Sequence, residues 1–298
     1  MSLSRARALA LLCSTPAFGA CALARADVRV GSKNFTESFL IAEIYAQALE
    51  RAGLRVARLF NLGSTQIAMA AMQRGSIDCY PEYTGTALID VLHLPPIANS
   101  RAAYDVVSRE FRQRYGIVWL APSPMDDSQA LATTQEIAAA RHLATLSDVA
   151  TAAPQLRFAT IQEFLARPDG LPGLQRAYGG FRFASVRTYD IALKYRALLE
   201  GHAEIASAFS TDGEVGSDHL VIMRDDRNFW PAYNVAPVVR AAALARRPEI
   251  AGLLDAVSRA ITDRAARRMN AAIEDLQQDP ADVAAAFLKS TSARRVGS

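Results

Sequence analysis

The sequence predicts an α/β protein with two parallel sheets, and three observations carry this prediction. The chain has 298 residues, a length typical of about two domains and sufficient to bury a sizeable core. Hydrophobic residues make up 51% of it and charged residues 21%, so a disordered or fibrous chain is excluded. Short apolar or alternating runs recur between amphipathic stretches, and strands that alternate with helices are typical of parallel sheets.

The N-terminus has the pattern of a secretory signal peptide. Arg5 and Arg7 precede the apolar run 8–13, and residues 24–26 form an A-x-A cleavage pattern directly before Asp27. We therefore expect residues 1–26 to be removed and the protein to be exported to the periplasm. The alternative is a helix packed on the domain. It is the weaker one, because the apolar run is too short to span a bilayer and ends in breakers and small residues.

A lipid anchor is a second alternative for the exported protein. Residues 19–21, Gly-Ala-Cys, resemble the end of a lipobox, although Phe18 stands where Leu is usual. Anchoring at Cys21 is therefore the weaker expectation.

Removal of the leader changes the charge of the chain. The full sequence has 33 Lys and Arg against 30 Asp and Glu. The leader holds three arginines and no acid, so the mature chain is formally neutral. Its basic residues form no block longer than short pairs such as 246–247 and 267–268, whereas phosphate-backbone binding needs a basic footprint. We expect no nucleic-acid partner.

The mature chain keeps one cysteine, Cys79, because Cys13 and Cys21 lie in the leader. Ile77 and Tyr80 flank it in a strand-like stretch, which favours a buried inert thiol over a nucleophile.

The first series of elements begins directly after the leader. The apolar runs 27–30 and 54–60 predict strands, and the amphipathic stretches 36–51 and 65–73 predict helices.

A second series follows in the middle of the chain. It comprises strands at 157–160, 183–186 and 205–209, with helices after Ile161 and over 191–199. The Ala-rich stretch 248–288 is predicted to be helical, with Gly252 and Pro280 as boundaries.

The sequence shows no recognisable catalytic machinery. The histidines are scattered, with no HExxH arrangement: they are His93, His142, His202 and His219. There is no G-x-S-x-G elbow and no phosphate-binding glycine motif. We expect no metal, no cofactor and no catalytic residue, although a triad of distant Ser, His and Asp side chains stays open. An exported two-sheet α/β protein of this kind is predicted to be a binding protein.

Four segments carry the sharper signal: residues 31–38, 61–66, 75–86 and 208–213, the last followed by 230–234. In the first, a strand end leads into a helix start, whose unpaired N–H groups favour an anionic ligand group. An ordinary capped helix is the alternative reading.

Six motifs, in order along nearly all of the mature chain, together resemble one family. They are GSKNFTE at 31–37, LGST at 62–65, the run from Ile77 through EYTGT at 82–86, RPDG at 167–170, YRAL at 195–198 and FSTDG at 209–213. In this combination the sequence resembles the substrate-binding proteins of ABC importers for glycine betaine, choline and related quaternary amines.

The resemblance implies a type II periplasmic binding protein fold with the ligand in the cleft between two lobes. Lobe one would take 27–127 and 235–298, and lobe two, with two crossover segments, 128–234. The partners it implies are a betaine- or choline-type ligand and a membrane ABC permease. We expect a monomer.

The resemblance also implies an aromatic cage around the cationic head group. A trimethylammonium has no N–H to donate, so recognition depends on shape and on ring faces within about 6 Å of the charge. Tyr83, Phe209 and Tyr233 match three walls of the cage. Residues 126–129 read Asp-Asp-Ser-Gln, where relatives tend to have Asn-Asn-Thr-Tyr. Gln129 therefore replaces an aromatic residue, and the fourth wall of the cage lacks a ring.

Four polar residues complete the candidate ligand-binding set. Asn34 lies in the first motif, Ser38 matches a polar residue near the ligand's tail, and Thr86 matches a hydroxyl with the same role. Gln66 occupies a position that is acidic or neutral in relatives. A neutral residue there avoids repelling a carboxylate, which favours a betaine-type zwitterion.

Two other functions remain open on the sequence. A binder of another small cationic or polar solute is made credible by Gln129 and by Phe209 in place of tyrosine. An exported enzyme on the same fold is the weaker alternative, since a fold does not fix a function.

Overall fold

A computed structural model of the protein describes residues 26–97, 99–191, 193–216, 220–231 and 233–296. The expected leader up to residue 25, with Cys13 and Cys21, lies outside the described residues, as does His219.

The first five-stranded sheet has the order β2-β1-β3-β10-β4. Its strands are β1 Val28–Gly31, β2 Val56–Leu59, β3 Cys79–Tyr83, β4 Ile117–Trp119 and β10 Val235–Arg240. β1 pairs in parallel with β2 and β3, whereas β10 pairs antiparallel with β3 and β4. We call this sheet and the helices packed on it lobe one.

The second five-stranded sheet has the order β7-β6-β8-β5-β9. Its strands are β5 Gln129–Thr134, β6 Arg157–Thr160, β7 Ser185–Thr188, β8 Ile205–Phe209 and β9 Leu220–Ile222. β6 is parallel to β7 and β8, and β5 is antiparallel to β8 and β9. We call this sheet and its helices lobe two.

The helices follow the strands. In lobe one they are α1 Thr36–Arg51, α2 Thr65–Arg74, α3 Ser100–Tyr115, α9 Ala241–Arg246, α10 Glu249–Ser258, α11 Asp263–Glu274 and α12 Pro280–Val296. In lobe two they are α4 Gln135–Arg141, α5 Leu146–Ala152, α6 Gln162–Ala166, α7 Leu171–Tyr178 and α8 Lys194–Leu199. A helical turn, Thr84–Thr86, continues as the π-helix Ala87–Val91.

Two segments cross between the lobes, one after β4 and one before β10. They pair with each other through an isolated bridge between Asp126 and Asn234 and through the Ser123 N–H, which donates to the carbonyl of Val235 over 2.8 Å. The predicted lobe boundaries fall within these segments and stay a prediction.

The structure corrects the prediction of purely parallel sheets. Both sheets are mixed, because each lobe includes an antiparallel strand next to a crossover, β10 in lobe one and β5 in lobe two. The strand expected at 183–186 lies at Ser185–Thr188 instead, and all four of its residues are exposed.

Gly252 is inside helix α10 and is not a boundary. A glycine within a helix costs only about 1 kcal/mol relative to alanine, which the packing of Ile250 and Leu254 offsets. The break comes after Ser258 instead, where the Thr262 side chain accepts a hydrogen bond from the Ala265 N–H and caps α11. Pro280 begins α12, as expected of a boundary.

Lobe one has a hydrophobic core on each face of its sheet. One of them contains α1, which is buried along most of its length. Strand β3 is buried at all five positions. Cys79 is a free, fully buried thiol, and burial raises its pKa, which confirms the expected inert cysteine. None of the helices in the described ranges is both long enough and apolar enough to cross a membrane.

Candidate ligand-binding site

A cavity of about 800 Å³ lies between the two lobes and is lined by side chains from both. It is formed where the loop after β1, the end of β3 and the crossover segments of lobe one face the ends of β6 and β8 in lobe two. Ligands of α/β proteins bind at such strand ends and between domains.

Tyr83, at the end of β3, forms part of the lobe-one wall. Its hydroxyl donates to Glu37 Oε1 over 2.7 Å, which fixes the ring. Lys33 Nζ lies 4.8 Å from the centroid of that ring and 2.7 Å from Glu82 Oε1. The ring of Phe35 stands 6.0 Å from that of Tyr83. The wall therefore carries two rings and one buried, ion-paired ammonium.

Tyr233 reaches the cavity from the returning crossover segment. Its N–H donates to Asp126 Oδ1 over 2.7 Å, and its hydroxyl donates to Asp169 of lobe two. The ring packs against Gly85: a Cβ there would stand only 2.2 Å from Tyr233 Cε1. The glycine is therefore required for the position of this ring.

The lobe-two wall contains Phe209, at the end of β8, and Gln129, at the start of β5. The strand register pairs these two residues directly, which places their side chains next to each other. Lys194 Nζ lies 5.2 Å from the Phe209 ring centroid and 3.0 Å from Asp212 Oδ2. Each lobe thus presents an aromatic ring together with a buried, ion-paired lysine.

Carboxyl groups gather at the junction of the lobes. Glu37 accepts hydrogen bonds from Tyr83 and from Asn270 Nδ2, the latter over 3.0 Å. Asp127 Oδ1 accepts from Thr211 Oγ1 over 2.6 Å. Burial raises the pKa of Glu37, and burial together with the Glu37 and Asp212 charges holds the pKa of Asp127 well above its ordinary value.

Arg167 joins the two lobes at one side of the cavity. Its Nε and Nη2 donate to the two oxygens of Asp169 over 2.8 and 2.7 Å, and its Nη1 bonds to Asp90 of lobe one. Asp169 is fully buried. The guanidinium thereby connects the lobe-two residue that holds Tyr233 to the π-helix of lobe one.

The structure brings seven of the eight predicted site residues to the cavity wall. They are Asn34, Gln66, Tyr83, Thr86, Gln129, Phe209 and Tyr233. Ser38 is buried away from the wall, and its Oγ accepts from the Lys33 N–H over 3.0 Å. Whether any of these side chains contacts ligand stays a prediction.

Sequence reasoning missed several wall residues that lie inside the quoted motifs or next to them. They are Lys33, Phe35, Glu37, Asp127, Lys194 and Tyr195. Their positions in or beside these motifs could have identified them as candidate site residues. The ion pairs that keep the lysines at the wall join residues far apart in the chain, Lys33 with Glu82 and Lys194 with Asp212, so local patterns do not reveal them.

Two mixed α/β lobes around an aromatic-lined cleft define the class of fold, which is that of the type II periplasmic binding proteins. Residues 26–290 match the family described as the substrate-binding domain of an ABC-type glycine betaine transport system. The chain belongs to that family, so it is the substrate-binding component of an ABC importer and not an enzyme. Members of the family are periplasmic or extracytoplasmic proteins that deliver small molecules to a membrane permease.

The chain is 34% identical to the glycine-betaine-binding protein of Pseudomonas aeruginosa over 294 residues, which cover 95% of this chain and 93% of the relative. It is 30% identical to the glycine betaine-binding protein YehZ of Escherichia coli, covering 89% and 91% of the two chains. A solved structure of a glycine betaine/carnitine/choline ABC transporter protein, 27% identical, superposes with a TM-score of 0.76 over 88% of this chain and 98% of its own.

Proposed function

We propose that the protein binds glycine betaine or a related quaternary ammonium osmolyte in the interlobe cavity, with Tyr83, Tyr233 and Phe209 around the cationic head group. The observation that carries this proposal is that these three rings, from both lobes and a crossover segment, line the same cavity. Relatives 34% and 30% identical are named for binding glycine betaine. Each desolvated cation–π contact contributes on the order of 2 kcal/mol.

The lysines beside the rings limit how the ligand approaches. Lys33 stands over one face of Tyr83, and Lys194 stands over the ring of Phe209. Because like charges repel, the quaternary ammonium is expected to use the opposite face or the edge of each ring. Asn34, Gln66 and Thr86 supply polar groups for the remainder of the ligand, and so does Gln129 in the place of a fourth ring.

Isothermal titration and thermal-shift measurements with glycine betaine and choline test this function. Tyr83→Ala and Tyr233→Ala are each expected to weaken binding by about 1 to 3 kcal/mol, because cation–π and burial contributions are lost. Tyr115→Ala is the matched control: Tyr115 packs on Phe111 in lobe one, away from the cavity. Unchanged affinity in both cavity variants would contradict the aromatic cage. If no quaternary amine at millimolar concentration shifted the melting temperature, the assignment of an osmolyte as ligand would fail.

A second candidate is a binder of another small cationic or polar solute. Gln129, beside Phe209, offers an amide where a fourth ring would complete the cage, and an amide has no ring face for a methylammonium. A titration panel of amino acids, polyamines and betaines separates the two: the osmolyte proposal requires the betaines or choline to bind most tightly.

We also infer that the chain is exported through cleavage after Ala26 and acts as a monomer. N-terminal sequencing of the exported protein, which should begin at Asp27, and its mass in light scattering test these two statements.

A further inference from the structure

One end of lobe one carries a network of arginines around two aspartates. Asp27 and Asp78 stand directly before β1 and β3, at the edge of the sheet opposite to the cavity. The arginines that pair with these two carboxylates, which we call the arginine face, are Arg29, Arg55, Arg240, Arg246 and Arg247. None of these five arginines lines the cavity, so the arginine face lies outside the ligand-binding site.

Asp78 is shared by three guanidinium groups. Its Oδ2 accepts from Arg29 Nε over 2.9 Å, and its Oδ1 accepts from Arg29 Nη2 over 3.1 Å. Arg240 and Arg246 each reach the same Oδ1 with a single nitrogen, over 3.4 and 3.3 Å. Because the bidentate Arg29 already neutralises the carboxylate, the other two guanidiniums keep most of their N–H donors for further acceptors.

Asp27 is shared by two guanidinium groups. Arg55 Nε and Nη2 donate to its two oxygens over 3.0 and 3.2 Å, and Arg247 bonds to its Oδ1. Glu249 adds a third carboxylate to the network, with its Oε1 3.7 Å from Arg247 Nη1. Five guanidiniums therefore face three carboxylates, and two positive charges remain in the network without a partner of opposite sign.

The aspartates lie beneath the arginines. The side chains of Asp78 and Asp27 are 2% and 11% exposed, whereas those of the five arginines are between 25% and 65% exposed. Burial by itself would raise the pKa of Asp78, but the hydrogen bonds and charge of Arg29 hold that pKa below its ordinary value. The carboxylate thus stays ionised at neutral pH, and the outer layer that meets solvent is guanidinium.

The arrangement fits an array of phosphates better than one small anion. Arg29, which binds Asp78, is two positions along the chain from Asp27, so the two anchoring carboxylates are separated by roughly 7 Å along the start of β1. The arginines spread outward from both. Arginine binds phosphate oxygens with its planar fork of donors, and clusters of basic residues are attracted to anionic lipid surfaces.

The path of the chain favours a lipid surface as the partner. Residue 26 directly precedes Asp27, so the segment 1–25 joins the protein at the arginine face. The proposed cleavage after Ala26 would add the positive α-amino group of Asp27 to this face. The protein also delivers its solute to a membrane permease, so it acts next to phospholipid headgroups.

We propose that the arginine face docks on an anionic phospholipid surface and holds the protein at the membrane between deliveries to the permease. Headgroup phosphates accept the donors of Arg240 and Arg246 that Asp78 does not use. This role is independent of which solute the cavity binds.

Co-sedimentation of the exported protein with vesicles of phosphatidylglycerol and of phosphatidylcholine tests the proposal. The wild type should bind phosphatidylglycerol vesicles at least about tenfold more tightly, and this preference should shrink at high salt, because exposed charges are screened. Millimolar inorganic phosphate, at constant ionic strength, should not release the protein. Release would show a site for free phosphate, and equally tight binding to duplex DNA would show an unselective polyanion surface; either result overturns the proposal.

Arg246→Gln with Arg247→Gln should weaken binding to phosphatidylglycerol vesicles about 25-fold, since each basic residue near an anionic surface contributes roughly fivefold. Both aspartates keep another arginine, and affinity for the solute should not change. Arg101→Gln with Arg196→Gln is the matched control, because it removes two exposed arginines from ion pairs elsewhere and should bind vesicles as the wild type does. Equal loss in both double variants, or no vesicle preference in the wild type, overturns the proposal. If the first double variant does not fold, Arg246→Gln alone should show the fivefold loss.

Discussion

At the scale of single residues, the buried pair of Lys33 and Glu82 shows how the site is held. Lys33 Nζ is 2.7 Å from Glu82 Oε1, and the two side chains are 5% and 0% exposed. Glu82 also accepts from the Tyr80 hydroxyl over 2.8 Å. Desolvating two charges costs several kcal/mol, so the pair is stable only while both partners and their hydrogen bonds are present.

Lys33→Met is therefore expected to lower the free energy of unfolding by about 3 to 5 kcal/mol, because it leaves the Glu82 carboxylate buried without a counter-charge. Urea denaturation measures this change. The double variant Lys33→Met with Glu82→Gln should recover much of the loss. Arg101→Met, in an exposed pair with Asp105, should change little. A single variant as stable as the wild type would contradict this account.

The sequence placed Tyr83, Phe209 and Tyr233 in one site by resemblance, and the structure brings all three rings to the cavity. Their contact with a ligand stays a prediction. Lys33 was not predicted, because its role depends on Glu82, 49 positions away, and on the desolvation that only the assembled fold produces.

At the scale of elements, the helical turn Thr84–Thr86 positions a ring that belongs to another segment. Gly85 lies in this turn, and the ring of Tyr233 occupies the space where a side chain would be. The antiparallel pairing of β3 with β10 brings the two segments together, since Val235 is the register partner of Tyr83.

Gly85→Ala is expected to displace the Tyr233 ring, since the added methyl would stand 2.2 to 2.6 Å from three of its carbon atoms. We expect a lower melting temperature and a loss of quaternary-amine affinity in titration calorimetry. Gly252→Ala is the matched control: nothing lies within 4 Å of its added carbon, and removing a helical glycine stabilises by up to about 1 kcal/mol. Equal behaviour of the two variants would show that the ring can move without cost.

The elements were predictable where local periodicity was strong. Helix α1 has the predicted bounds, Thr36–Arg51, and β6 and β8 also match. Strand β7 begins two residues after the predicted start. Its position was missed because its four exposed residues carry no alternation of apolar and polar side chains. The antiparallel strands were not predicted, because direction depends on where the chain re-enters a sheet and not on local pattern.

At the scale of the whole molecule, the junction of the lobes concentrates acidic groups with raised pKa. Burial and the neighbouring Glu274 raise the pKa of Glu214 to about 8. Glu274, Glu37 and Asp127 shift in the same direction, each primarily through burial. Glu214 follows β8 of lobe two and Glu274 ends α11 of lobe one, so the shift arises from the packing of one lobe on the other.

Stability should therefore fall as pH rises from about 5 to 8. The folded state binds more protons than the unfolded chain in this range, so the free energy of unfolding has a negative slope against pH. Melting temperatures at half-unit pH steps measure the slope. Glu214→Gln should make it shallower, whereas Glu163→Gln, an exposed substitution, should leave it as in the wild type. A melting temperature that rises with pH in this range would contradict the assignment.

A chain of side-chain hydrogen bonds runs from Tyr233 through Asp169 and Arg167 to Asp90. It also affects how fast the protein releases its solute. It connects a ring of the proposed cage to an ion pair between the lobes, so opening the cleft requires rupture of that pair. The two side chains of that pair are only 13% and 19% exposed, and dissolved salt screens such partly buried charges much less than exposed ones. The dwell time of the solute should therefore depend little on the surrounding electrolyte, so that such a carrier keeps its cargo in concentrated surroundings, where an osmolyte is needed most.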